Sequence, residues 1–326
     1  MSIGFPRVEG PATTGAVRPR ALLPAIVLAN ALLSSVDARA GGAFDDPYDV
    51  PLAPRPPTLP ELTHSDIEAT LETTAGALLP SMPGGTIAHA YVQRLAVEVP
   101  LGLRRWYVGA QYEVAAGTTD GSLLAVGSNL SLEGRTLWAT RTGLAVGGGL
   151  RLTAPTAAFD PSGPAAAVAL QAATLRPWDI GFFVPDALGV RPFVDVRVVD
   201  GPFVAQFRQG LDGTISTASA GDRRLYATTS VYFGWRVTSA VASGLELFEA
   251  YAIDVPGVRD GARSAIIASP NVRLTLPWVQ PAVSVFTNVG TPLEGAHGSV
   301  WGFRLAFTLV YDPSSSVFGS LRGAGR

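Results

Sequence analysis

Residues 223–237 read RRLYATTSVYFGWRV and alternate with a period of two from end to end. Leu225, Ala227, Thr229, Val231, Phe233, Trp235 and Val237 fall on one side of an extended chain. Arg224, Tyr226, Thr228, Ser230, Tyr232, Gly234 and Arg236 fall on the other. In a soluble sandwich the first set faces a protein core; in a membrane barrel it faces lipid and the second set a lumen. Alternation alone does not separate the two, so composition, strand length and connections must decide.

Of the 326 residues, 47% are hydrophobic and 15% charged, against roughly 25% charged in ordinary soluble domains. Yet beyond the N-terminal region no stretch reaches the roughly 18 uninterrupted apolar residues of a membrane helix. The apolar content is spread thinly, as alternation spreads it. All 24 basic residues are arginine and the net charge is −2, with no basic cluster to mark a nucleic-acid partner. Cysteine is absent, which excludes disulfides, thiolate metal sites and a lipid-modified N-terminal cysteine.

The start reads as an export signal over residues 1–40: Arg18 and Arg20 precede the apolar run ALLPAIVLANALLSSV (21–36), and Ala38-Arg39-Ala40 supplies the small residues of a cleavage site. Pro24 argues against an ordinary buried helix there. Residues 41–65 contain DDPYDVPLAPRPPTLPEL, too proline-dense for a helix or a sheet interior, and read as an extended tether.

From Asp66 to Asp312 alternating segments recur, at about 66–78, 86–99, 104–116, 122–133, 137–152, 188–200, 202–211, 223–237, 242–254, 262–276, 279–290 and 299–311. Most are longer than the mode near 5–6 residues of globular strands and match the 9–11 or more needed to cross a bilayer on a tilt. The connections alternate between short ones (PLGL, GRT, Gly201, SAVA, Trp278) and longer ones (ALLPSMPGG, DGTISTASAGD, PGVRDGA, TPLEGAHG), as antiparallel outer-membrane strands require. SGPAAAVALQAATL (162–175) lacks alternation and has helix propensity, so it reads as a short helix in one long loop. The fold expected is all-β, a transmembrane antiparallel up-and-down barrel over 66–312 with twelve strands, or fourteen if the helical segment and WDIGFFV (178–184) were both strands. Residues 313–326 are a polar tail.

The faces support a barrel. Trp106, Val108, Ala110, Tyr112 and Val114 alternate with Arg105, Tyr107, Gly109, Gln111 and Glu113; Trp138 to Leu150 in even positions alternate with Ala139 to Arg151 in odd ones. Charge is collected on one side, where an arginine on the other would cost about 2–4 kcal/mol at mid-membrane. Trp106, Trp138, Trp235, Trp301 and Tyr311 stand at strand ends, as interfacial girdles require. The segment 242–254 fits less well: Glu246 and Glu249 lie on opposite faces, so one should sit near an interface.

WGFRLAFTLVY (301–311) resembles the closing strand of bacterial outer-membrane β-barrels, with Gly302, Leu305, Phe307, Leu309 and Tyr311 in the places of the glycine, the alternating apolar residues and the terminal aromatic. The resemblance implies residence in the outer membrane, contact with its lipid and insertion by the barrel-insertion machinery. In that family the aromatic is commonly the final residue, whereas here DPSSSVFGSLRGAGR follows.

No motif points to a cofactor or a metal: GxxxxGK[ST], HExxH and GxSxG are absent, and His64, His89 and His297 are scattered. Gly147-Gly148-Gly149 suits a place where strands bend. His297 and Ser299 fit loop polarity better than a lipid hydrolase, which is the third reading. Functional content resides in the inward charge: Glu68, Glu72, Arg94, Glu98, Arg105, Glu113, Arg141, Arg151, Arg191, Asp195, Arg197, Arg208, Arg224, Arg236, Arg273 and Arg304. Opposed charges can simply brace the wall, or the arginines can select small polar or anionic solutes in a passive channel. A sealed lumen would favour a surface anchor or interaction scaffold over the channel, and the sequence names no solute.

Overall fold

The computed structural model describes residues 67–80, 87–101, 106–119, 122–140, 143–218, 223–258, 262–276, 278–290 and 298–311. The leader, the proline-rich tether and the tail lie outside the described residues, as do Arg105, Arg141, His64 and His297.

Thirteen hydrogen-bonded segments run in order: β1 (Ile67–Leu79), β2 (Ala88–Leu101), β3 (Trp106–Thr119), β4 (Ser122–Gly127), β5 (Leu130–Ala139), β6 (Leu144–Ala154), β7 (Ala187–Asp200), β8 (Phe203–Ser216), β9 (Arg223–Arg236), β10 (Val241–Asp254), β11 (Ser264–Leu274), β12 (Val279–Val289) and β13 (Ser299–Tyr311). Each pairs antiparallel with its neighbours, and β1 pairs with β13 from Ile67↔Tyr311 to Leu79↔Ser299, which closes the sheet. β4 and β5 both lie on β3, against Val114–Thr119 and Trp106–Gln111 respectively, so they are two arms of one strand broken at Ser128–Asn129. The barrel therefore has twelve strands. Closure pairs the two ends of the sheet, as β-structure in lipid requires, while the short arm β4 pairs on one side, with β3.

One rim carries the tight connections and both ends of the sheet. There Asp200 pairs with Phe203 across a turn in which Gly201 adopts φ +55°, a conformation that favours glycine. Longer connections leave the other rim, including residues 155–186 between β6 and β7.

Some segment boundaries differ from those expected. GRT (134–136) is not a turn: β5 runs through it to Ala139, and the turn falls at Thr140–Gly143, where Gly143 has φ +81° and Thr140 N–H donates to Leu144 O at 2.8 Å. Trp138 thus ends β5 instead of opening the next strand. Twelve strands, not the alternative fourteen, is the count, since WDIGFFV falls in a 3-10 turn over 177–183.

The opening alternation resolves clearly. Tyr226 and Tyr232 are fully buried inside the barrel, while Phe233, Trp235 and Val237 are exposed on the outside. The same outer band includes Leu71, Leu95, Leu132, Val194, Val272 and Leu309. Trp106, Trp138, Trp235 and Tyr311 stand outward at the short-turn rim, Trp301 at the opposite one. Glu246 faces inward and accepts from Ser230 Oγ at 2.6 Å; Glu249 is on the outer face, in the long-loop half of β10, where Ser264 Oγ donates to it at 2.9 Å.

Candidate functional site

The connection between β6 and β7 does not stay outside the barrel. It contributes helix α1 (Pro164–Leu175) and the 3-10 turn Pro177–Phe183, both of which pack against the inner wall. α1 follows from its alanine-rich sequence and from Pro164 at its first turn, where the missing N–H costs nothing. One side of it, Val168, Ala172 and Leu175, is buried against β1, β2 and β3. The wall makes room: a Cβ on Gly76 would clash with Leu175 Cδ1, and one on Gly117 would lie 2.9 Å from Gln171 Oε1. Trp178 then inserts its ring edge-to-face between Phe286 (5.4 Å) and Phe248 (6.2 Å) of the opposite wall.

Asn129, at the break between β4 and β5, fastens both ends of this plug. Its backbone N–H donates to Phe182 O at 2.7 Å, its side-chain amide donates to Val184 O (2.7 Å) and Gly181 O (3.2 Å), and its Oδ1 accepts from Ala157 N–H at 2.7 Å. The strand breaks where its backbone bonds turn inward.

Between plug and wall lies a charged network. Arg176, at the C-terminal end of α1, donates to Glu72, to Thr74 Oγ1 (2.6 Å), to Glu113 (3.0 Å) and to Asp179 (2.7 Å). Glu72 also accepts from Arg304 at 2.8 Å and Arg94 at 3.4 Å. Arg151 links Glu133 (2.7 Å) to Asp179 (3.4 Å), and Arg191 bonds Asp212 and the carbonyl of Trp178. Arg208 grips Asp195 through two 2.7 Å bonds. Burial opposes ionisation of Asp179, and the Arg176 and Arg151 guanidiniums outweigh it, holding that carboxyl below its usual range.

Glu68, Glu98, Arg197, Arg224, Arg236 and Arg273 also project inward, toward the rims and away from the plug's centre. Arg135 pairs with Glu98, Arg273 donates to Gln280 at 3.0 Å, and Arg197, Arg236 and Arg273 mark the short-turn end of β7, β9 and β11. Sequence reading misses Arg135 through the misplaced turn and passes over Glu133 at the end of 122–133, though both obey the alternation of Leu130, Leu132 and Trp138. Asp212 is missed because β8 runs beyond residue 211. Arg176 and Asp179 carry no periodic signal.

Small voids lie within the charged network. One of about 20 Å³ is edged by Arg151, Asp179, Arg191 and Arg208; another of about 20 Å³ lies among Asn271, Arg273, Ser284 and Arg304. Each has room for about one water.

No protein-family model and no curated protein matches the sequence. Among solved structures the chain is similar to an outer membrane channel from Pseudomonas putida F1, with a TM-score of 0.58 and 12% identity over 79% of this chain and 100% of that one. The fold is that of the bacterial outer-membrane β-barrels. Two other outer-membrane barrels superpose more loosely: the NanC porin (TM-score 0.48, 12% identity, 73% of this chain and 98% of that one) and the translocator domain of autotransporter NalP from Neisseria meningitidis (0.47, 8%, 88% and 97%).

Proposed function

We propose that this outer-membrane barrel is a channel for small polar or anionic solutes, closed in the described state by its own internal segment. The observation that carries the reading is the water-sized gap beside the plug, where Arg151, Arg191 and Arg208, each paired to a carboxylate, meet Asp179. The arginines Arg197, Arg236 and Arg273 line the way from it toward the short-turn rim, where fixed positive charge favours anions. The aligned Pseudomonas putida protein is itself described as an outer membrane channel, which agrees with this reading.

A second reading keeps the barrel shut for good, as an anchor or interaction scaffold. It is favoured by the apolar cluster in which Val168, Leu175, Trp178 and Phe182 join Val92, Ala115, Phe248 and Phe286 of the wall.

Planar-bilayer recording separates the two. The channel reading expects small anion-preferring currents that grow when Arg176→Gln and Asp179→Asn together weaken the plug's ionic contacts. Silence in both the parent and that double variant, with the barrel folded, overturns it in favour of the scaffold.

A further inference from the structure

A row of polar side chains crosses the outer wall. Gln209 on β8, Thr229 on β9 and Glu249 on β10 are cross-strand partners, Gln209 facing Thr229 and Thr229 facing Glu249, and all three stand half-buried on the outward side of their strands. The row lies within the apolar band and not on its edge: Phe207, Val231 and Leu247 flank it toward the short-turn rim, and Leu211, Leu225 and Ile253 lie beyond it toward the long loops. Lipid tails offer neither donors nor acceptors, so a carboxyl and an amide turned toward them are costly.

Part of that demand is met within the wall. Thr229 Oγ1 donates to Gln209 Oε1 at 2.8 Å, Gln209 Nε2 donates to Thr228 O at 3.0 Å, and Ser264 Oγ donates to one oxygen of Glu249 at 2.9 Å. Among the described residues no basic side chain pairs with Glu249, and its second carboxyl oxygen accepts no hydrogen bond. The other N–H of Gln209 has only a 3.5 Å contact with Gly210 O. The outward pair Thr73 and Gln93, on β1 and β2, differs: the two side chains bond each other at 3.1 and 2.9 Å and carry no charge.

Donor and acceptor stand at opposite ends of the row. A two-fold axis along the membrane normal, passing by β9, sets β8 of one copy against β10 of another, so the amide of each Gln209 comes to the side of the other copy's Glu249 and the two Thr229 side chains meet. The length of the Gln209 and Glu249 side chains spans the offset in depth that strand tilt introduces. We infer that this face pairs with a second copy of the chain, side by side in the membrane, with Gln209, Thr229 and Glu249 as the polar centre of the contact. The pairing uses no lumen residue, so it goes beyond the channel reading and holds whether or not the barrel conducts.

The test uses the full chain in phospholipid vesicles. The protein has no cysteine, so Ala227→Cys, one outward position from Thr229 on β9, and Leu95→Cys, outward on β2 halfway round the barrel, compare two walls under oxidation by copper phenanthroline in air. Ala227→Cys should cross-link to a dimer, and Leu95→Cys should give only the collisional background. Energy transfer between donor- and acceptor-labelled chains, followed on dilution with lipid, measures the association. Glu249→Leu and Gln209→Leu, each checked for folding by heat-dependent migration in SDS, should each weaken it about tenfold, and Gln93→Leu should leave it unchanged. Chains that stay monomeric at every dilution leave the row to lipid and overturn the pairing. Equal cross-linking at the two walls overturns it too, as does an affinity that folded Glu249→Leu and Gln209→Leu barrels both keep.

Discussion

Arg304, on the last strand, donates to Glu72, on the first, across 2.8 Å, and the same carboxylate receives Arg176 from the plug. Glu72 thus joins both edges of the closing seam to the segment inside it, in a site from which water is excluded: its side chain is 1% exposed. Removing its charge leaves the buried guanidiniums of Arg176 and Arg304 and the half-buried one of Arg94 sharing an amide. Since breaking a buried ion pair typically costs about 3–5 kcal/mol, Glu72→Gln should lower the thermal unfolding midpoint of the detergent-solubilised barrel more than any exposed charge change, for example Asp254→Asn, whose pairing with Arg223 is exposed. Equal midpoints for the two variants would contradict the role given to Glu72.

Asn129 supplies a separate prediction, because its bonds hold the plug without charge. Asn129→Ala strands the Ala157 N–H and the Gly181 and Val184 carbonyls, each loss costing about 1–3 kcal/mol where the group stays buried. Hydrogen exchange should quicken over residues 157–184 and stay slow in β7 to β13. Uniform quickening throughout the barrel would mean that the plug and wall open only together.

Selectivity tests the lining. Arg236 faces inward at the short-turn end of β9, away from the plug's contacts. In a bilayer with a salt gradient, Arg236→Gln should move the reversal potential toward zero, and the shift should shrink at high salt, where screening falls to roughly 3 Å at 1 M. A reversal potential indifferent to this change removes Arg236 from the selectivity path.

Acid bears on Asp179. Its carboxyl is held below the ordinary aspartate value, so its ionic contribution is complete above about pH 4 and fades as the pH falls through the depressed folded value. Asp179→Asn, lacking that contribution at every pH, should narrow its stability gap from the parent protein as the solution is acidified from pH 5 to pH 2. Denaturant midpoints at those pH values would show it, and a gap that widens in acid would assign the anchor to other groups.

Much of the wall was legible because each lipid-facing position must be apolar and each neighbour need not be. A stretch such as 223–237 states its own two faces. The errors fall where that contrast weakens: Gly134-Arg135-Thr136 looks like a turn by residue type, yet β-pairing with Tyr107 and Trp106 carries the strand through it. The plug was legible only as a helix. α1 is apolar on both sides, which marks burial without naming the surface that buries it. The contact of Arg176 with Glu72 spans 104 positions, and nothing local encodes it.

The seam also bears on how the barrel is held closed. Glu72 and Arg304 stand 232 positions apart, so the pairing that closes the wall has nearly the longest reach in the domain, and such distant pairings are slow to gain. Arg176 and Trp178 sit at that junction, the Trp178 ring within 5.3 Å of the Arg304 guanidinium. The internal segment lies between β1 to β6 and β7 to β13 in the chain, and the two edges of the sheet meet against it. A closing seam that shares its charges with an inner segment ties the circumference of the wall to what the wall encloses, so a change to either is felt by both.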